Sequence, residues 1–182
     1  MQLFPPPAPP SRFSGISWLL ALIVLPLAVG CQDRAARSWP EVMAQIRARF
    51  PDVEQISTQE LARLLQESGN GKPLLVDVRT PQEYAVSHLK GAVRAQTVEE
   101  VESLVHGQKE TPLILYCSVG YRSSQLAAAL MKAGFRSIRN LEGSIFKWAN
   151  EGRPVYRDGK PVHAVHPYDE DWGRLLDPSL RQ

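Results

Sequence analysis

"PLILYCSVGYRSSQLAAALMKAGF", residues 112–135, decides the fold of this 182-residue chain. Its first part is wholly apolar up to the cysteine, the pattern of a parallel strand buried on both faces. From Ser123 to Phe135 the pattern changes to an alanine- and leucine-rich helix closed by Gly134. The chain therefore passes from strand to helix within a few residues, through a loop containing Gly120. In an open α/β sheet such a turn lies beyond the carboxyl ends of the strands, where ligands bind. Cys117 stands at that point. Either it is a small core residue near a strand end, or it is a nucleophile set in an anion-binding cradle. The loop favours the second reading. Successive backbone N–H groups and a helix N-terminus form an anion site without any side chain. Gly120 gives the loop backbone angles closed to other residues, and Arg122 adds a permanent positive charge. Together these lower a thiol's pKa and make it a working nucleophile.

Outward from this stretch, strands and helices alternate from Ile56 onward. "STQELARLLQESGNG" (57–71) opens with a capping box, Ser57 with Glu60, and stops at Gly-Asn-Gly. "PLLVDV" (73–78) is a second buried strand, and "TPQEYAVSHL" (80–89) repeats the box with Thr80 and Glu83, so Glu83 reads as a cap. "GAVRA" is a short strand, "VEEVESLVHG" an amphipathic helix, "SIRNLEG" a last strand and "SIFKWANEG" a final helix. Trp148 on that helix reads as core. The rhythm predicts an α/β fold of three layers, a mainly parallel central sheet flanked by helices. Before it, residues 31–51 read as a polar tether and a lead-in helix. Ser38 caps that helix, and Val42, Ile46 and Phe50 form its apolar stripe. After it, residues 155–182 leave the rhythm, with a hairpin signal at Asp158-Gly159 and then "HAVHPYDEDWGRLL", an extension packing across the domain. His163 and His166 lack a third ligand nearby, so they read as packing or surface residues, and no metal is expected.

Residues 1–30 contain one basic residue, Arg12, and an apolar run from Ile16 to Ala28. That run is too short to span a membrane and has the dimensions of a signal-peptide core. It leads into "LAVGC", which resembles a bacterial lipobox with Cys31 as the lipidated residue. The expectation is an exported protein anchored by lipid and facing the periplasm or cell exterior, with a soluble secreted form as the alternative. Of the two cysteines, Cys117 is then left without an intrachain partner, as expected of a reactive thiol. A net charge of +2 with no run of Lys or Arg argues against nucleic-acid binding.

The stretches "LLVDVRTPQEYAVSHLKGA", "LILYCSVGYRSSQLAAALMKAGF" and "IRNLEGSIFKWANEGRPV" together resemble the rhodanese family of sulfurtransferases over residues 52–154. The resemblance implies that Cys117 takes sulfane sulfur from a donor such as thiosulfate, holds it as a persulfide and passes it to a thiophilic acceptor. It implies a cradle from Ser118, Val119, Gly120, Tyr121, Arg122 and Ser123, with Tyr121 either gating the pocket or covering the loop. Asp77 and Arg79 match the family's strand-end pair and read as groups that organise the loop. His88 and Gly91 match its "H-L-x-G-A" turn. No cofactor is implied, and the partners are a small sulfur donor and acceptor or a protein persulfide. Many family members carry Arg directly after the cysteine. Here that residue is Ser118, which removes one charge from the rim and makes a neutral or protein-bound donor an alternative to thiosulfate. Two other classes share features of the loop. Cysteine phosphatases, like arsenate reductase-type enzymes, combine thiolate, cradle and arginine, but with five residues between Cys and Arg where this chain has four. A rhodanese-like module that only binds or senses redox state would carry the same residues.

Overall fold

The computed structural model describes residues 37–67 and 72–182. The signal-peptide and lipobox readings, with Cys31, lie outside the described residues, as do the start of the tether and the Gly69-Asn70-Gly71 stop.

Eleven elements carry the domain in chain order: α1 (Trp39–Arg49), β1 (Gln55–Ile56), α2 (Thr58–Gln66), β2 (Leu74–Asp77), α3 (Pro81–Val86), β3 (Val93–Arg94), α4 (Val98–Leu104), β4 (Leu113–Tyr116), α5 (Tyr121–Lys132), β5 (Ile138–Leu141) and α6 (Ser144–Asn150). The strands form one sheet in the order β1-β5-β4-β2-β3, every neighbouring pair parallel. β4 lies at its centre, which is why its sequence is apolar on both faces. Ile114 and Tyr116 join the core beneath α1, α2 and α6, while Leu113, Leu115 and Cys117 join the core beneath α4 and α5. This period-2 division builds the three-layer α/β fold. Each fully buried Leu or Ile contributes about 1.5–3 kcal/mol.

Local chemistry explains where the helices start. Thr80 Oγ accepts the Glu83 N–H, and the Glu83 carboxylate takes the Thr80 N–H in return, closing a complete capping box with Pro81 at the first helical position. At α2 only half of the box forms, Ser57 Oγ accepting from the Glu60 N–H at 3.1 Å. Ser38 donates its N–H and hydroxyl to Glu41 at the head of α1. That helix buries Val42 and Ile46 in the core, and the Phe50 ring beyond it meets Tyr121 edge-on at 5.3 Å.

The tail forms a two-stranded hairpin, β6 (Val155–Arg157) and β7 (Lys160–Val162), then a short helix, α7 (Glu170–Gly173). Asp158 and Gly159 make the hairpin turn with φ of 49° and 72°, the left-handed pair that a two-residue turn requires. Tyr156 exchanges backbone hydrogen bonds with His88. Val155, Val165, Leu175, Leu176 and Leu180 are buried in the same core cluster as α1, α2 and α6.

Candidate active site

Strand β4 delivers Cys117 to the sheet's carboxyl edge, and the turn into α5 folds back over its sulfur. Gly120 makes this possible. It precedes α5 with φ 114°, and a Cβ there would stand 3.2 Å from Asn140 Nδ2 and 3.5 Å from Ile46 Cδ1. In that conformation the Gly120 N–H donates to Cys117 Sγ at 3.1 Å, and the Ser123 hydroxyl lies 3.5 Å from it. The N–H groups of the first turn of α5 have no helical carbonyl to bind and face outward from the helix end. On the other side of the loop, the start of α6 takes up the opposing polar groups. Ile145 and Phe146 N–H donate to the carbonyls of Cys117 and Ser118. The Cys117 N–H donates to Ser144 Oγ at 3.1 Å, and that hydroxyl donates to the Leu141 carbonyl. With its carbonyls held by α6, the loop is clamped open toward the sulfur.

Cys117 is buried, 1% exposed. Burial pushes its pKa up, but the Arg122 charge, the Ser123 hydroxyl and N–H, and the Gly120 N–H outweigh it, so the thiol titrates below its ordinary range. The pocket above it holds about 100 Å³ and is lined by Ser118, Val119, Tyr121 and Arg122 of the loop together with Tyr168 and Trp172 of the tail. Val119 packs into the core beneath the loop, whereas Tyr121 is 43% exposed.

Arg122 lines the pocket with its charge already paired. Its Nη1 and Nη2 donate to the two carboxylate oxygens of Glu83 at 2.8 and 2.7 Å, a bidentate pair. Ser118 closes the network, donating to Glu83 Oε1 at 3.0 Å and accepting from Arg122 Nη2 at 2.9 Å. Glu83 is 2% exposed. Burial raises its pKa, but the Arg122 and Thr80 hydrogen bonds prevail and hold it at about 2. Glu83 therefore does more than cap α3. It ties that helix to the loop and neutralises the arginine beside the sulfur. Nothing in the local sequence signals a partner 39 residues away.

Asp77 and Arg79 are fully buried at the end of β2 and bind each other rather than Cys117. Arg79 donates through Nε and Nη2 to both Asp77 oxygens, and through Nη2 to the Ser87 carbonyl at 2.5 Å. Its guanidinium lies over the Tyr116 ring at 5.9 Å, so the pair fixes the chain from β2 past α3 against the end of β4. Gly91 turns with φ 74°, and the His88 ring stacks on Tyr84 at 4.1 Å. His166 Nδ1 receives the Tyr168 N–H at 3.0 Å. Among the described residues no group of three metal-ligating side chains comes together.

The rhodanese-like domain model matches residues 57–151, just over half of the chain. The protein belongs to this family. It is similar to the probable adenylyltransferase/sulfurtransferase MoeZ of Mycobacterium tuberculosis, 34% identical over 115 residues, 62% of this chain but 29% of that protein's length. It is also similar to a sulfurtransferase of Allochromatium vinosum, 32% identical over 103 residues that make up 57% of this chain and 94% of the relative. The crystal structure of a thiosulfate sulfurtransferase from Pseudomonas aeruginosa shares the fold, with a TM-score of 0.55 and 20% identity over 65% of this chain and 22% of that one. The family match stops before Tyr168 and Trp172, which sequence reasoning had placed only in a surface-packing tail.

Proposed function

We propose that this protein is a sulfurtransferase in which Cys117 carries sulfane sulfur as a persulfide. The observation that carries the reading is the sulfur's setting. A thiol at the end of a central strand receives the Gly120 N–H, lies beside the Ser123 hydroxyl, and titrates below an ordinary cysteine at the floor of a small pocket. The thiolate attacks the outer sulfur of the donor. With thiosulfate the S–S bond breaks, sulfite leaves with the electron pair, and Cys117–S–S⁻ remains. A thiophile such as cyanide then takes the terminal sulfur as thiocyanate and regenerates the thiolate. The cradle's N–H groups stabilise the negative charge that persists on the transferred sulfur. Asp77 and Arg79 serve as positioning groups.

Two features favour sulfur over phosphate as the cargo. The loop has four residues between Cys117 and Arg122, and the guanidinium that would clasp a phosphate is already bound to Glu83.

The test is the mass of the tryptic peptide 110–122 after the full chain has met excess thiosulfate or an alkyl persulfide. One added sulfur on that peptide, removed by cyanide and absent in Cys117→Ser, is the expected result. A peptide that stays unmodified with both donors would leave a binding or redox-sensing module as the better description.

For its location we propose that Cys31 is lipidated and tethers the domain to a membrane facing the periplasm or cell exterior. The support is the short apolar run and "LAVGC". Two acyl chains meet the requirement for stable anchoring. Cys31→Ala should move the protein from the membrane to the soluble fraction or block its processing, and an unchanged distribution and mobility would refute the anchor. Among the described residues no helix is long and apolar enough to cross a membrane.

A further inference from the structure

The pocket over Cys117 is walled in part by residues that the family match does not reach. That match ends at residue 151, yet Tyr168 and Trp172 line the pocket together with Val119 and Tyr121. The turn that carries them is built. Asp169 Oδ1 accepts the Trp172 N–H at 2.8 Å, His166 accepts the Tyr168 N–H, and Gly173 presses on Pro167 so closely that a Cβ would come within 2.9 Å of it. Tyr168 is held at φ 68°, a conformation rare outside glycine. Arg37 lies over the Trp172 ring at 4.5 Å.

The chemistry of this wall is unlike that of an oxyanion site. Among the described residues Arg122 is the one charged residue lining the pocket beside Cys117. Its guanidinium is spent on Glu83 and covered by the Tyr168 ring at 4.6 Å. A dianion meets there a cation that is already neutralised, which costs it affinity. Divalent sulfur and its adjoining methylenes, by contrast, gain from contact with aromatic rings. A volume of about 100 Å³ gives room for a slender chain over the sulfur.

Resting on the reading that Cys117 carries sulfur, we infer that Tyr168 and Trp172 make this a site for persulfides borne on a slender apolar stem, in preference to thiosulfate. The Cys117 thiolate attacks the terminal sulfur of R–S–SH. The S–S bond breaks, R–S⁻ leaves with the electron pair, and the proton and terminal sulfur stay as Cys117–S–SH. No external oxidant or reductant takes part.

The experiment compares loading of the full chain by thiosulfate and by a small alkyl persulfide, through initial rates across donor concentration and the mass of peptide 110–122. The wild type should show at least a tenfold higher kcat/KM for the alkyl persulfide. Trp172→Ala and Tyr168→Ala should each cut that preference by about three- to tenfold, the scale of one sulfur–aromatic contact. The loss should fall chiefly on KM for the persulfide, and Trp172→Phe should restore most of it. Tyr168 is 46% exposed, so its variant reports even where Trp172→Ala fails to fold. A wild type that prefers thiosulfate, or a donor ratio unmoved by Tyr168→Ala, would overturn the inference while leaving Cys117 as the sulfur carrier. Loading by neither donor would overturn both.

Discussion

Glu83 shows how one carboxylate serves two elements. It closes the capping box of α3 and grips both nitrogens of Arg122. Its pKa falls from an ordinary 4.5 to about 2. A depressed carboxylate contributes stability that is fully present above its unfolded pKa and is lost as pH falls through the folded one. For Glu83 that window runs from about pH 5 down to about pH 2 and is on the order of 3 kcal/mol. Glu83→Gln should therefore lose about 3 kcal/mol less than the wild type across this window, from a lower starting stability, in urea unfolding at each pH. Parallel losses in the two proteins would mean that another acid carries the effect. The same substitution leaves Arg122 unneutralised beside the sulfur, which should lower the Cys117 pKa further.

At the scale of the element, the turn from β4 to α5 depends on two neighbours that hold it from opposite sides. Helix α6 binds the loop's carbonyls and the Cys117 N–H, while Gly120 supplies the left-handed residue that turns its own N–H onto the sulfur. Gly120→Ala places a Cβ in a conformation that costs about 1–3 kcal/mol, 3.2 Å from the Asn140 amide. The expected result is a loss of stability of that size and a rise in the Cys117 pKa, because the loop relaxes and withdraws the Gly120 N–H. Thermal unfolding and the pH dependence of alkylation measure the two effects separately. An alanine variant whose thiol alkylates with the wild-type pH profile would show that this N–H contributes nothing to the thiolate.

For the whole molecule, the tail is part of the core. Val155, Val165, Leu175, Leu176 and Leu180 are buried together with α1, α2 and α6. At about 1.5–3 kcal/mol each, they amount to roughly 7–15 kcal/mol. That equals the whole stability of a typical domain, about 5–15 kcal/mol. A chain ending at Pro154 should lose cooperative thermal unfolding, read by near-ultraviolet circular dichroism and calorimetry. A sharp transition near that of the full chain would contradict this role. The tail thus joins stability to the site, since the segment that completes the core also carries Tyr168 and Trp172 to the pocket.

The amino-acid sequence by itself determined the alternation of strands and helices, the two buried strands β2 and β4, the Thr80–Glu83 box, the Asp158-Gly159 turn and the strand–loop–helix passage around Cys117. Each is set by neighbours within about ten residues, through hydrophobic period, caps and turn residues. Gly120 and Arg122 stood out for the same reason. Only the tertiary structure decided that Glu83 neutralises Arg122 from 39 residues away, that Ser144 holds the Cys117 N–H from 27 residues away, and that Tyr168 covers the guanidinium. The first two contacts follow from the strand order β1-β5-β4-β2-β3, which sets β2 and β5 on either side of β4. The ends of their connections, the heads of α3 and α6, thereby meet the cysteine loop. Sequence spacing records no such meeting, because the energy that selects the strand order is spread over the whole core rather than written at the residues it brings together.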